Sequence, residues 1–153
     1  MDKFKITLFE NEYGRSFPSY KELPKEECQF LLKSVCKTYR IIETNFATQL
    51  DSVQSFYSDS NAVDEDFKLK NTLFNLGISF NSTLFVNWSR FERIDAFYID
   101  DLDEYFNDIW FHVADDIDLF DESLTWIVSI HHEGYISVVY ASEDFLLAQA
   151  TGR

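Results

Sequence analysis

The chain is poor in the residues that break or stiffen a backbone, with four Gly and two Pro in 153 positions. Both prolines, Pro18 and Pro24, fall in the first segment, so no Pro/Gly-rich linker divides the sequence. One domain over residues 1–153 is therefore expected. Four glycines are too few for a phosphate-cradling loop, and no G-x-S-x-G, G-x-x-x-x-G-K-[ST] or G-x-G-x-x-G pattern occurs. No apolar run approaches the ~18 residues of a transmembrane helix. The opening Met1-Asp2-Lys3-Phe4-Lys5 has no continuous apolar stretch, so no secretory signal is expected. Cys28 and Cys36 are the only cysteines. Eight residues apart on one predicted helix, they are separated by a rise of about 12 Å, too far for a disulfide. They read as reduced thiols, and the expected compartment is the cytoplasm.

The most uneven shortage is of cations. From Ile94 to Gly152 there is no Lys or Arg. Residues 1–93 hold 12 Lys/Arg against 13 Asp/Glu, whereas the last sixty hold Arg153 alone against 14. The final segment thus carries −13 of the net charge of −14. Eleven carboxylates lie between Asp95 and Glu122, interleaved with Phe97, Tyr98, Tyr105, Phe106, Trp110, Phe111 and Phe120. Those interleaved aromatics and aliphatics can form a packed face, so this reads as a folded module with a negative surface and not a disordered acidic tail. Such a field opposes its own folding but steers cationic partners. It argues against nucleic acid or an anionic membrane as ligand, because both need a cationic surface.

Patterning predicts an α+β fold: an N-terminal helical region, then a mainly antiparallel sheet ending in a β-meander. Lys5–Phe9 reads as a short strand and residues 10–23 as a loop. Pro24 opens a helix reaching roughly Phe56, with a break near Asn45, since Phe30, Leu31, Val35, Tyr39, Ile42, Phe46 and Leu50 recur at helical spacing. Residues 63–76 suggest a second helix closed by Gly77. Strands are predicted at 83–88 and 94–98, then a helix capped by Asp100 or Asp101 and running to Trp110. The meander takes 117–120, 124–130 and 135–140, with a tight His132-Glu133-Gly134 turn. Residues 142–149 suggest either a short terminal helix capped by Ser142 or an irregular tail.

Catalytic patterns fail on inspection. The run Asp115-Asp116-Ile117-Asp118-Leu119-Phe120-Asp121-Glu122 lacks the ligands and the glycine of an EF-hand loop: counted from Asp116, position 5 is Phe120 and position 6 Asp121. His131-His132-Glu133-Gly134 lacks H-E-x-x-H spacing, and strand alternation would point the two imidazoles to opposite faces. No catalytic residue, metal or cofactor is therefore expected.

The segment from Trp110 to Asp121, a W-F-x-x-x-D-D-I-x-L-F-D pattern, followed by Trp126–Gly134, a strand with an H-E-G turn, resembles the end of small bacterial immunity proteins. These neutralise polymorphic toxins, including those of contact-dependent growth inhibition. The resemblance implies a cytoplasmic, non-catalytic inhibitor forming a 1:1 complex with a basic toxin domain, often a nuclease. Its expected partner-binding residues are Asp100, Asp101, Asp103, Glu104, Asp108, Asp115, Asp116, Asp118, Asp121 and Glu122. Two alternatives stand beside it. One is a nucleic-acid-mimicking inhibitor from a phage or mobile element. The other is a small hydrolase using His131, Glu133 and an Asp, which requires a concave pocket joining those side chains.

Overall fold

Lys3–Tyr13 folds as helix α1, where a strand and the start of a loop were expected. The run Lys5–Phe9 read as a strand, but its buried positions are Lys5 and Phe9, one helical turn apart. Asp2 caps the helix by accepting from the Phe4 N–H at 3.0 Å, and Gly14 ends it at φ 63°. The structure, a computed structural model, describes residues 1–152, the side chain of Ser89 apart. Arg153, the only cation of the last sixty residues, lies outside them.

The long helix expected over 24–56 is three pieces. Helix α2 spans Lys25–Tyr39 and stops where Arg40 turns left-handed at φ 56°. A 3-10 turn at Glu43–Asn45 leads into α3, Phe46–Val53. Within the stretch expected as a loop, Tyr20–Glu22 forms strand β1, and after the helices Ser55–Tyr57 forms β2. The helix expected over 63–76 shrinks to α4, Leu69–Asn75, because Asn61, Asp64 and Phe67 close turns instead. Gly77 ends it at φ 70°, as anticipated.

The acidic half follows its pattern more closely. Strands β3, Thr83–Ser89, and β4, Arg93–Tyr98, lead into α5, Ile99–Glu104, and α6, Phe106–Ile109. The single helix expected here is broken at Tyr105, and Tyr98 stands at the N-cap where Asp100 or Asp101 was expected. Strands β5, Ile117–Phe120, β6, Trp126–Ile130, and β7, Ile136–Tyr140, form the meander. Helix α7, Glu143–Ala150, is capped by the Ser142 hydroxyl, as the helical reading predicted. The α+β class holds: one seven-stranded antiparallel sheet runs in the order β1-β4-β3-β5-β6-β7-β2. The two N-terminal strands close its edges. Among the described residues, no helix is long and apolar enough to cross a membrane.

Strand alternation gives the sheet two covered faces. Leu84, Val86, Phe97, Leu119, Val128 and Ile136 pack with Leu69, Leu73, Leu102, Phe106 and Ile109 of α4, α5 and α6. Ile94, Ala96, Phe120 and Ile127 face the opposite way, onto Cys28 and Val35 of α2 and Leu50 of α3. Both cysteines are free thiols, Cys28 buried and Cys36 partly so.

Several acidic side chains are built into these layers. The Met1 ammonium meets the Asp95 carboxylate at 2.7 Å with both groups fully buried, and Trp88 Nε1 donates to the same oxygen at 2.8 Å. Lys5 reaches from α1 to donate to Asp115 and to the Ile109 carbonyl, beneath the rings of Trp88 and Phe111. Burial pulls the Lys5 ammonium below its usual range, against the opposing pull of Asp115. Asp121, 1% exposed, accepts from the Asn81 N–H at 3.0 Å and from the Ser123 N–H at 3.0 Å. Truncating it leaves those two part-buried N–H donors without their acceptor. Asp121→Ala should therefore lower unfolding free energy by about 3 kcal/mol in urea titration. Glu122→Ala, at an exposed position, should change it by less than about 0.5 kcal/mol. Equal losses at these neighbours would contradict the assignment.

Candidate functional site

The pairing registers of β3, β5, β6 and β7 set four polar side chains in a row. Asn87 lies opposite Asp118, Asp118 opposite Ser129, and Ser129 opposite Ser137. Alternation turns this row toward α2 and α3, where the neighbouring positions Phe120 and Ile127 are core. Helix α3 stands over it. Phe46 and Leu50 are one turn apart, and Gln54 follows at the helix end. The helix and the row do not close on each other. Between them is a cavity of about 870 Å³, whose lining includes these residues with Asp51, Trp88, Arg90, Asp116, His131 and Tyr135. That volume and the mix of aromatic walls with a few polar groups are typical of a ligand pocket.

The floor is a hydrogen-bonded chain. Asp118 accepts from Asn87 Nδ2 at 2.9 Å and from Ser129 Oγ at 2.6 Å, and Gln54 Nε2 donates to Ser129 Oγ at 2.8 Å. Gln54 Oε1 is buried and has no partner among the described residues. Burial pushes the Asp118 carboxyl above the usual range, against the bonds from Ser129 and Asn87. The rim carries backbone strain: Arg90 and Phe91 both lie in the left-handed region, at φ 46° and 60°. Asn87 Oδ1 holds that turn by accepting the Phe91 N–H at 2.9 Å. The buried Phe91 ring anchors it against Phe120, 5.6 Å away, and Phe46, 5.1 Å away.

At the other side of the rim the two histidines converge, against expectation. Alternation does not apply, because β6 ends at Ile130. The His131 N–H bonds the Tyr135 carbonyl, the Gly134 N–H bonds the His131 carbonyl, and the turn brings the imidazole centroids to 3.9 Å. Gly134 is required there: its φ is 87°, and a Cβ would lie 1.9 Å from Asn61 Oδ1. Asp116 Oδ1 accepts the His132 N–H at 2.8 Å, lies 2.9 Å from His132 Nδ1 and 3.8 Å from His131 Nε2. Partial burial raises the Asp116 carboxyl. The His132 N–H and ring, with His131 nearby, outweigh this and hold it below the usual range.

The ten carboxylates expected at a partner surface are dispersed. Only Asp116 and Asp118 share the pocket. Asp115 and Asp121 are engaged inside, as described above. Asp103 accepts from the Lys70 N–H at 2.9 Å, at the start of α4, and Asp108 accepts from the Tyr13 hydroxyl at 3.1 Å. Asp100 is exposed and bridges to Lys70 at 2.6 Å. Asp101 is half-buried, and Glu104 and Glu122 are exposed. Gln54, Asn87, Arg90 and Ser129 were not anticipated as site residues. The available signal was Asp118 and Ser129, polar positions within otherwise apolar strands.

The two rim and floor carboxyls should titrate in opposite directions. Asp118 is raised, so its favourable contribution to stability is complete below the unfolded pKa of about 3.9 and is lost as pH rises through its folded value. Asp116 is lowered, so its contribution is present above that unfolded value and is lost as pH falls through its folded value. Side-chain carboxyl NMR should place Asp118 above and Asp116 below the ordinary range, and the reverse order would contradict this geometry.

No protein-family model, curated protein or solved structure matches the chain.

Proposed function

We propose that this protein is a cytoplasmic inhibitor that binds a cationic protein, in the manner of the immunity proteins its C-terminal third resembles. The favoured target is a basic nuclease toxin held in a 1:1 complex. The observation that carries this reading is the uncompensated charge left at the surface. Among the described residues, Asp101, Glu104 and Glu122 form no ion pair, and their own segment from Ile94 to Gly152 has no Lys or Arg. Exposed aromatics accompany these acids. Tyr98 is exposed beside α5, and Phe74 is exposed one turn from Lys70 on α4, the helix bridged to Asp100. Carboxylates of this kind give fast, salt-dependent capture, and aromatic anchors slow release.

The pocket favours a second reading as a small hydrolase, because it brings His131 together with Asp116 and Asp118. Glu133 is not among its lining residues, although its carboxylate lies 3.8 Å from His131 Nδ1. A nucleic-acid mimic would use the same acidic surface and differ only in its target.

The test uses the product of the gene adjacent to this one, mixed with the purified chain. A 1:1 complex should form, with an association rate that falls steeply as salt rises. Asp101→Lys with Glu104→Lys should slow association about tenfold or more and flatten the salt dependence. Asp103 and Asp108 are left intact because each holds a neighbouring element. Absence of a complex, or a complex whose association ignores both salt and the reversal, would overturn the proposal.

A further inference from the structure

We infer that Asp116, His131 and His132 form a binding site for one borderline divalent metal ion, of which Zn²⁺ is the type, at the rim of the pocket. Each residue offers one ligand atom, and the three atoms all lie within 4.8 Å of one another. Metal–ligand bonds of about 2.0–2.2 Å place the ligands of a tetrahedral ion about 3.4 Å apart. The distances from Asp116 Oδ1 to the two imidazoles, 2.9 and 3.8 Å, lie on either side of that value. Small side-chain rotations are therefore enough to enclose an ion.

The donor set selects the metal. Two imidazole nitrogens and one carboxylate suit zinc and its transition-metal neighbours, whereas Mg²⁺ and Ca²⁺ take oxygen ligands. The backbone holds the three groups in place. Asp116 immediately precedes β5 and is tied to the His132 N–H at 2.8 Å, and the tight turn after β6 presents both rings on one side. Glu133 lies beside His131: its N–H donates to His131 Nδ1 at 3.3 Å, and its Oε2 is 3.8 Å from the same nitrogen. Binding of the ion through Nε2 puts the ring proton on Nδ1, which then turns from the Glu133 N–H to the Glu133 carboxylate. Three protein ligands leave the fourth position of the ion for water or an exogenous group. Asp116 and His131 both line the pocket, so the open position belongs to a site large enough to admit a small ligand. This inference does not depend on the partner-binding reading.

The experiment is calorimetric titration of untagged protein with ZnCl₂, paired with Co²⁺ absorption spectroscopy. One ion should bind per chain, and Co²⁺ should give the intense visible bands of low coordination. His131→Ala and His132→Ala should each abolish saturable binding. Glu133→Gln should weaken it about tenfold. His112→Ala, at an exposed residue outside the cluster, should leave it unchanged. Near-UV circular dichroism checks that each variant folds. If His132→Ala does not fold, His131→Ala decides, because the His131 side chain is 45% exposed. Absence of stoichiometric binding by the wild-type protein, or wild-type affinity in the folded histidine variants, would overturn the inference.

Discussion

Placing carboxylates in a protein interior demands donors, and this chain supplies none of its own cations where the carboxylates are densest. From Ile94 to Gly152 there is no Lys or Arg, so donors must be backbone, hydroxyl or imidazole groups, or come from the N-terminal half. The N-terminal half contributes many of them. The Met1 ammonium meets Asp95, Lys5 meets Asp115, the Lys70 N–H meets Asp103, the Asn81 N–H meets Asp121, and Asn87 meets Asp118. These contacts tie α1, α4, β3 and the residues just before α1 and β3 to the acidic half. Leaving a buried charge without its partner costs more than the pair itself contributes, so these contacts favour one arrangement over others of similar compactness.

This explains which parts of the fold were legible. The meander is local, and its apolar runs, its glycine turn and the Ser142 cap are all visible along the chain. Helix α1 was hidden because its buried face includes Lys5, a residue read as surface unless its partner is known, and that partner, Asp115, is 110 positions away. Strands β1 and β2 have three residues each and owe their form to β4 and β7. The break after Tyr39 rests on a left-handed Arg40, which no local pattern announces.

The candidate sites divide in the same way. The acidic run from Asp95 to Glu122 was visible as a charge density, but spacing alone did not separate surface carboxylates from internal acceptors. The pocket needed the pairing register, because Asn87, Asp118, Ser129 and Ser137 come from four strands and meet only across the sheet. The histidine pair was misjudged by applying strand alternation to His131 and His132, both past the end of β6. The unpaired acidic surface is smaller than the sequence suggests and includes half-buried Asp101 with exposed Glu104 and Glu122.

The central claim is that the acidic stretch contains two populations, structural acceptors inside and free carboxylates outside. Carbodiimide-driven carboxyl labelling of the native protein, read by mass spectrometry at each residue, tests it most directly. Glu104 and Glu122 should label rapidly, whereas Asp95 and Asp121 should stay unlabelled until the protein unfolds. Labelling of Asp95 and Asp121 at the rate of Glu122 would contradict the account.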